Sequence, residues 1–185
     1  MQILKPLFGN ESLINAALWV ADRLPEDQCR LHKIFKILWF ADLAHLKKYG
    51  RTITGDTYVA MKFGPVPYFL YEEINSGSSA SFRRESDRNG GVRPLRKPDP
   101  KYLSETETEE LDRAVTRYKN ESFTRLTDIS HGSAWKSAHE AGPNTTIRIG
   151  EILDEIGADA ELRENVREDI EIRNSIERLA SVEDC

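Results

Sequence analysis

The stretch from His32 to Ile74, HKIFKILWFADLAHLKKYGRTITGDTYVAMKFGPVPYFLYEEI, decides how this chain is read. With Leu31 just before it, the apolar residues Ile34, Phe35, Leu38, Trp39, Leu43 and Leu46 recur at three- and four-residue steps. That is the spacing of one face of an α-helix. Lys33, Lys36, Lys47 and Lys48 mostly fall off the apolar stripe. Gly50 follows directly, and glycine suits the left-handed position just past a helix end. Lys47 and Lys48 in the last turn sit at the negative end of the helix dipole. The spacing therefore predicts one long helix that closes at Tyr49.

After Gly50 the pattern changes. Thr52, Ile53 and Thr54, then Gly55-Asp56, then Tyr58, Val59, Ala60 and Met61 read as a short β-hairpin. Thr54-Gly55-Asp56 lacks the glycine-rich loop and lysine of a nucleotide cradle, so a tight turn is the preferred reading. Gly64-Pro65-Val66-Pro67 is expected to end the hairpin and fix a rigid turn. Pro67 is then placed to open a short helix through Phe69, Leu70, Tyr71 and Ile74.

Working outward, a first helix is expected from Asn10 or Ser12, with Leu13, Ala16, Ala17, Val20 and Leu24 on one face. Asn75 to Pro100 reads as a polar loop around Asn89-Gly90-Gly91, with weak pairing between the runs at Ser81–Arg83 and Val92–Leu95. Ser104 and Glu107 form a capping-box pattern ahead of Leu111, Ala114, Val115 and Tyr118. Short helices are expected at 123–129 and 133–141, and Gly142-Pro143-Asn144 stops the second. Ile147, Ile149, Ile152, Leu153 and Ile156 open a further helical stretch. A last helix after Ala158 carries Leu162, Val166, Ile170, Ile172, Ile176 and Leu179, with ion pairs expected at Asp159–Arg163, Asp169–Arg173 and Arg173–Glu177. The fold class is mainly α (α+β), a compact helical domain of seven or eight helices. One small β-hairpin is inserted after the long second helix.

At 185 residues, 39% hydrophobic and 31% charged, the chain is long enough to bury a core without disulfide staples. No run of about 18 apolar residues suggests a membrane span. MQILKPLFGNES lacks the apolar run and cleavage site of a secretory signal. The two cysteines, Cys29 and Cys185, stand outside any CxxC or Cys/His cluster, which fits a reduced, cytoplasmic setting. The formal net charge of -5 is uneven: from Glu151 to Cys185 acids outnumber bases twelve to four. The expected division is a domain over 1–157 and an acidic helical extension over 158–185.

Several residues have the chemistry of sites. Asp42 and His45 lie three apart, a spacing that can place two metal ligands side by side. His32, His131 and His139 are in no ligand-spaced cluster, so a structural role is preferred, with Asp42 bonding the hairpin backbone or Tyr58. Asp128, Ser130, His131 and Ser133 hold the residue types of a hydrolase triad, but no nucleophile elbow marks one. No catalytic, metal or cofactor site is assigned. Tyr68 and Tyr71 are candidate partner contacts, because tyrosines are enriched at binding hot spots. Arg83 and Arg84 belong to a basic segment in which six bases face two acids between Arg83 and Lys97. Phosphate binding needs mainly such charge. The acidic overall balance and the lack of a recognition helix count against nucleic acid as partner.

Several pieces in order resemble one known family. They are Leu38, Ala41, Asp42, His45, Tyr49 and Gly50, then Thr54-Gly55-Asp56 with Tyr58 and Ala60, then Gly64-Pro65-Val66-Pro67. Within LTDISHGSAWKSA the matching residues are Ile129, Ser130, His131, Ala134 and Trp135. Together they are similar to the signature of the Panacea domain, found in SocA-like antitoxins and phage-associated GepA-type proteins. The resemblance runs from about Leu13 to Ile156. It implies a domain that neutralises a cognate protein toxin by direct binding, without cofactor or chemistry. For SocA-like members it also implies an adaptor that hands the toxin to a ClpXP-type protease. The rival reading is a DNA-binding regulator of phage or prophage origin.

Overall fold

In the computed structural model, residues 11–85 and 90–183 are described, with side chains through residue 172 and at 175. Helix α2 (Leu31–Tyr49) is its axis, and Gly50 closes it at φ 75° with its N–H on the Leu46 carbonyl. The helix is buried on nearly all sides. Ile34, Phe35, Ile37, Leu38 and Ala41 join one apolar cluster with α1 (Glu11–Asp22) and Leu111, Ala114 and Val115. Trp39 and Leu46 join a second cluster with Tyr58, Trp135, Ile152 and Val166. Burying a large apolar side chain is worth about 1.5–3 kcal/mol, so a helix shared by two clusters anchors both. The same position carries Lys36, Asp42 and His45 into the interior.

The hairpin follows α2, but its register differs from the expected one. Strand β1 (Tyr58–Met61) pairs antiparallel with β2 (Gly64–Pro67), and Lys62-Phe63 form the turn. The segment Thr52–Asp56 is a loop, and Gly64-Pro65-Val66-Pro67 is a strand, not the end of one. The reason is hydrogen-bond supply: Ile53 and Thr54 spend their N–H groups on the Asp42 carboxylate, so they have none for a ladder. The two prolines are tolerated because the sheet order is β2-β1-β5, which puts β2 at an edge. Strand β5 (Thr145–Thr146), which pairs with Val59 and Ala60, was not expected.

Helix α3 (Tyr68–Asn75) starts after Pro67, and the Asp56 carboxylate accepts from its Phe69 and Leu70 N–H groups at 3.0 Å each. In the polar segment, β3 (Phe82–Arg84) pairs with β4 (Val92–Pro94), so a second small sheet joins the hairpin. Arg88 and Asn89 of that segment lie outside the described residues. Helix α4 (Glu105–Tyr118) begins on a complete Ser104–Glu107 capping box. Then come α5 (Phe123–Ser130), α6 (Ser133–Ala141), α7 (Ile149–Glu155) and α8 (Ala160–Glu183). Among the described residues, eight α-helices and small antiparallel sheets make a mainly helical α+β domain.

The first part of α8 packs on the body, with Val166 buried in the second cluster and Leu162 and Ile170 against it. The expected Asp159–Arg163 pair is not made. Asp159 instead accepts from the Leu162 N–H, and Arg163 reaches Asp154 at 2.8 Å. The expected pairs through Arg173, and the Ile176 and Leu179 side chains, lie outside the described residues, as do Asn10 and Cys185. Among the described residues no helix is long and apolar enough to cross a membrane.

Candidate partner-binding surface at the hairpin tip

Three interior side chains grip the hairpin. Asp42, on α2, is 2% exposed and accepts from Ile53 N–H (2.7 Å), Thr54 N–H (3.0 Å), the Thr54 hydroxyl and the Tyr58 hydroxyl (2.8 Å). Burial pushes its carboxyl upward, against the pull of those donors. Lys36, six residues earlier on α2, donates from Nζ to the Pro65 carbonyl at 2.7 Å. It is 1% exposed, and desolvation brings its ammonium down to about 7. Trp135 Nε1 donates to the Met61 carbonyl at 3.0 Å from the side of α6.

His45 completes the frame. Its Nδ1 donates to the Arg51 carbonyl at 2.7 Å, and Nε2 lies 3.2 Å from the Thr106 hydroxyl. The Tyr49 ring lies against it, tilted by 41° with centroids 4.6 Å apart. With Asp42 and His45 both committed to protein partners, neither is disposed as a metal ligand. Among the described residues no group of three His, Cys, Asp or Glu converges on a metal position.

Gly55 takes φ 60° in the loop, and Gly64 takes φ 102° in a tighter place. A Cβ on Gly64 would lie 2.4 Å from Ser130 Oγ and 2.8 Å from Lys36 Cε. Pro65 and Val66 of β2 are buried, as is Pro67. His131 stacks on Trp135 at 3.5 Å with planes 2° apart, and its Nε2 is buried without a hydrogen-bond partner. Its imidazole is held below the usual value, by burial first and then by the Lys36 charge. His131 and Ser130 therefore support the hairpin from α5 and do not meet Asp128 in a triad: Ser130 Oγ donates to the Thr127 carbonyl.

The grip leaves the tip exposed. Phe63, at the turn, is 47% exposed and Phe123, at the start of α5, is 51% exposed. Their rings meet edge-to-face at 5.3 Å, and Phe123 stacks on His32 at 4.0 Å. His32 Nε2 lies 3.0 Å from the Thr127 hydroxyl. Desolvation lowers the His32 imidazole to about 4, so it is a neutral platform at physiological pH. Neither ring stands out in the sequence, because exposure depends on the whole surface and not on a local pattern.

The expected contacts lie elsewhere. Tyr68 and Tyr71 are half-buried, Tyr71 against Phe35 at 6.4 Å and Tyr68 against Phe69 at 5.5 Å. Arg84 is turned to Asn75. Arg83 lies directly opposite Arg93 on the outward face of β3–β4. Two further cations of the segment are committed, Arg96 to Glu11 and Asn15 and Lys97 to Asp22.

A family model described as antitoxin SocA-like, Panacea domain, matches residues 34–136. That span begins in the first turn of α2 and ends in α6, so it contains Asp42, Lys36, the whole hairpin, Phe123 and Trp135. No curated protein and no solved structure matches the chain. Because the match takes in more than half of its residues, the chain belongs to the SocA-like antitoxin family that carries the Panacea domain.

Proposed function

We propose that this protein inactivates a co-produced toxin by direct protein–protein contact, through the face around the hairpin tip, and performs no chemistry of its own. Family membership supplies the class of partner. The observation that carries the choice of face is the exposed Phe63–Phe123 pair on a turn whose strands are gripped from inside. Exposed aromatics on a rigid support lose little entropy on binding and dominate hot spots. The acidic extension over 158–185 is proposed to contribute to partner choice, and the working compartment to be the cytoplasm. Delivery of the bound toxin to a ClpXP-type protease extends the same reading and requires toxin degradation to depend on this protein.

The test is co-expression with any adjacent small reading frame that is lethal when expressed alone. Growth is rescued and a complex co-purifies with the wild-type chain. Phe63→Ala with Phe123→Ala abolishes both while the melting temperature moves by less than about 3 °C, since neither ring is core. No rescue and no complex with the wild-type chain refutes the proposal.

The facing pair Arg83 and Arg93 favours the DNA-binding reading, because like charges directly opposite each other in a sheet repel and call for an anion. The formal net charge of -5 opposes it. Salt-dependent duplex binding, lost on Arg83→Glu, is the outcome that would shift the conclusion to DNA.

A further inference from the structure

Beside the aromatic pair lies a cleft of about 270 Å³, walled by His32, Phe123, Leu126 and Ser122 and rimmed by Lys33 and Glu121. Its floor is apolar. Its rim carries Lys33, which forms no ion pair among the described residues, with Glu121 beside it. Lys33 donates to the Gln28 side-chain carbonyl and the Lys119 backbone carbonyl, both neutral. Lys62 lies over the Phe63 ring at 5.3 Å. The first turn of α2, the positive end of a 19-residue helix, contains no acidic residue. Asp27 and Glu121 are the acids felt by Lys33, and neither forms an ion pair with it among the described residues. Elsewhere the fold pairs its cations freely, as at Arg51–Glu107 and Arg96–Glu11.

We infer that this cleft seats a partner segment in which an aromatic or branched apolar side chain lies next to a carboxylate. The apolar side chain enters between Phe123 and Leu126, in contact with the ring of Phe63. The carboxylate meets the ammonium of Lys33 at the rim, with the charge of Lys62 over the Phe63 ring beside it, and the charge-assisted bond adds orientation. The inference rests on the proposal that this face binds the toxin, and it names the chemistry the toxin must present.

The test pans a phage-displayed library of short peptides against the full-length chain, with the Phe63→Ala, Phe123→Ala variant as counter-bait. Enriched peptides are expected to pair Asp or Glu with Phe, Trp, Leu or Ile. Synthetic copies should lose about ten-fold in affinity on Phe123→Ala and about three- to five-fold on Lys33→Ala with Lys62→Ala. They should also weaken as salt rises. Uncharged or basic consensus peptides, equal binding to bait and counter-bait, or no enrichment each overturn the inference. If any of these occurs while co-expression still rescues growth, the cleft chemistry is wrong and the antitoxin proposal stands. Loss of rescue with the wild-type chain instead removes the proposal beneath it.

Discussion

Replacing Asp42 with alanine removes the acceptor for four donors at once: two backbone N–H groups and two hydroxyls. The hydroxyls of Thr54 and Tyr58 can rotate toward each other. The N–H groups of Ile53 and Thr54 cannot, because the loop is pinned between α2 and β1. A buried donor left without a partner costs about 1–3 kcal/mol, so two give about 2–6 kcal/mol. The small cavity adds to this. Relief of a buried carboxylate's desolvation subtracts, since burial already pushes Asp42 upward. The net expectation for Asp42→Ala is about 3–5 kcal/mol, a large share of the stability of an ordinary domain. Asp42→Asn keeps the volume and one carbonyl oxygen for the two N–H groups, and its amide can donate to hydroxyls that accept. It should cost about 1–2 kcal/mol. Urea unfolding followed by circular dichroism measures both, with the slope checked for constancy. A loss below about 1 kcal/mol for Asp42→Ala would sink the clamp. Equal losses for Ala and Asn would show that charge, not acceptor geometry, holds the loop.

Other expectations follow from the same interior. Lys36 has a folded-state value of about 7 against an ordinary value of 10.5, so the unfolded chain binds more protons between those limits. Its buried charge therefore lowers stability below pH 7, and that loss is recovered as pH rises from 7 toward 10.5. Lys36→Met should remove this rise in the urea midpoint and be worth about 1–4 kcal/mol at pH 6, less the lost bond to Pro65. Gly64→Ala, at φ 102° against Ser130 and Lys36, should cost at least about 3 kcal/mol in the same assay. Gly50→Ala, at φ 75° with its nearest contact 3.8 Å away on Leu162, should cost only about 1 kcal/mol. Along α8, Val166→Ala should cost about 1–2 kcal/mol while Ile172→Ala, 60% exposed, stays within about 0.5 kcal/mol. Thermal melts that rank the two α8 variants the other way would remove α8 from the core.

Much of this fold could be read from residue order, and the misreadings have definite causes. The three- and four-residue steps from Leu31 to Leu46 gave α2, and Gly50 gave its end, because both are local rules. The capping box at Ser104 is equally local. The hairpin register is not. Thr52-Ile53-Thr54-Gly55-Asp56 has strand and turn chemistry, and only the long-range claim of Asp42 on its N–H groups takes it out of the ladder. Pro65 and Pro67 read as breakers until the sheet order places them on an edge. Strand β5 is two residues long, too short for any periodicity. The site was less legible than the fold. Asp42 and His45 are marked by residue type and spacing, but exposure is a property of the whole surface. Nothing local distinguishes Phe63 and Phe123, which face out, from Phe35 and Phe82, which face in.

The two-residue turn of the hairpin has an evolutionary consequence. Folding depends on Asp42, Lys36 and Trp135, which hold the loop before β1, the β2 backbone and the end of β1. The side chains of Lys62 and Phe63 take no part in that grip. Adjacent codons can therefore be rewritten under selection for a new target without solving the folding problem again. On the proposed binding face, stability and specificity are inherited on separate residues, and a lineage can follow a changing adversary through changes at the turn and at position 123. The same separation makes positions 62, 63 and 123 the natural cassette for randomisation when the scaffold is retargeted in the laboratory.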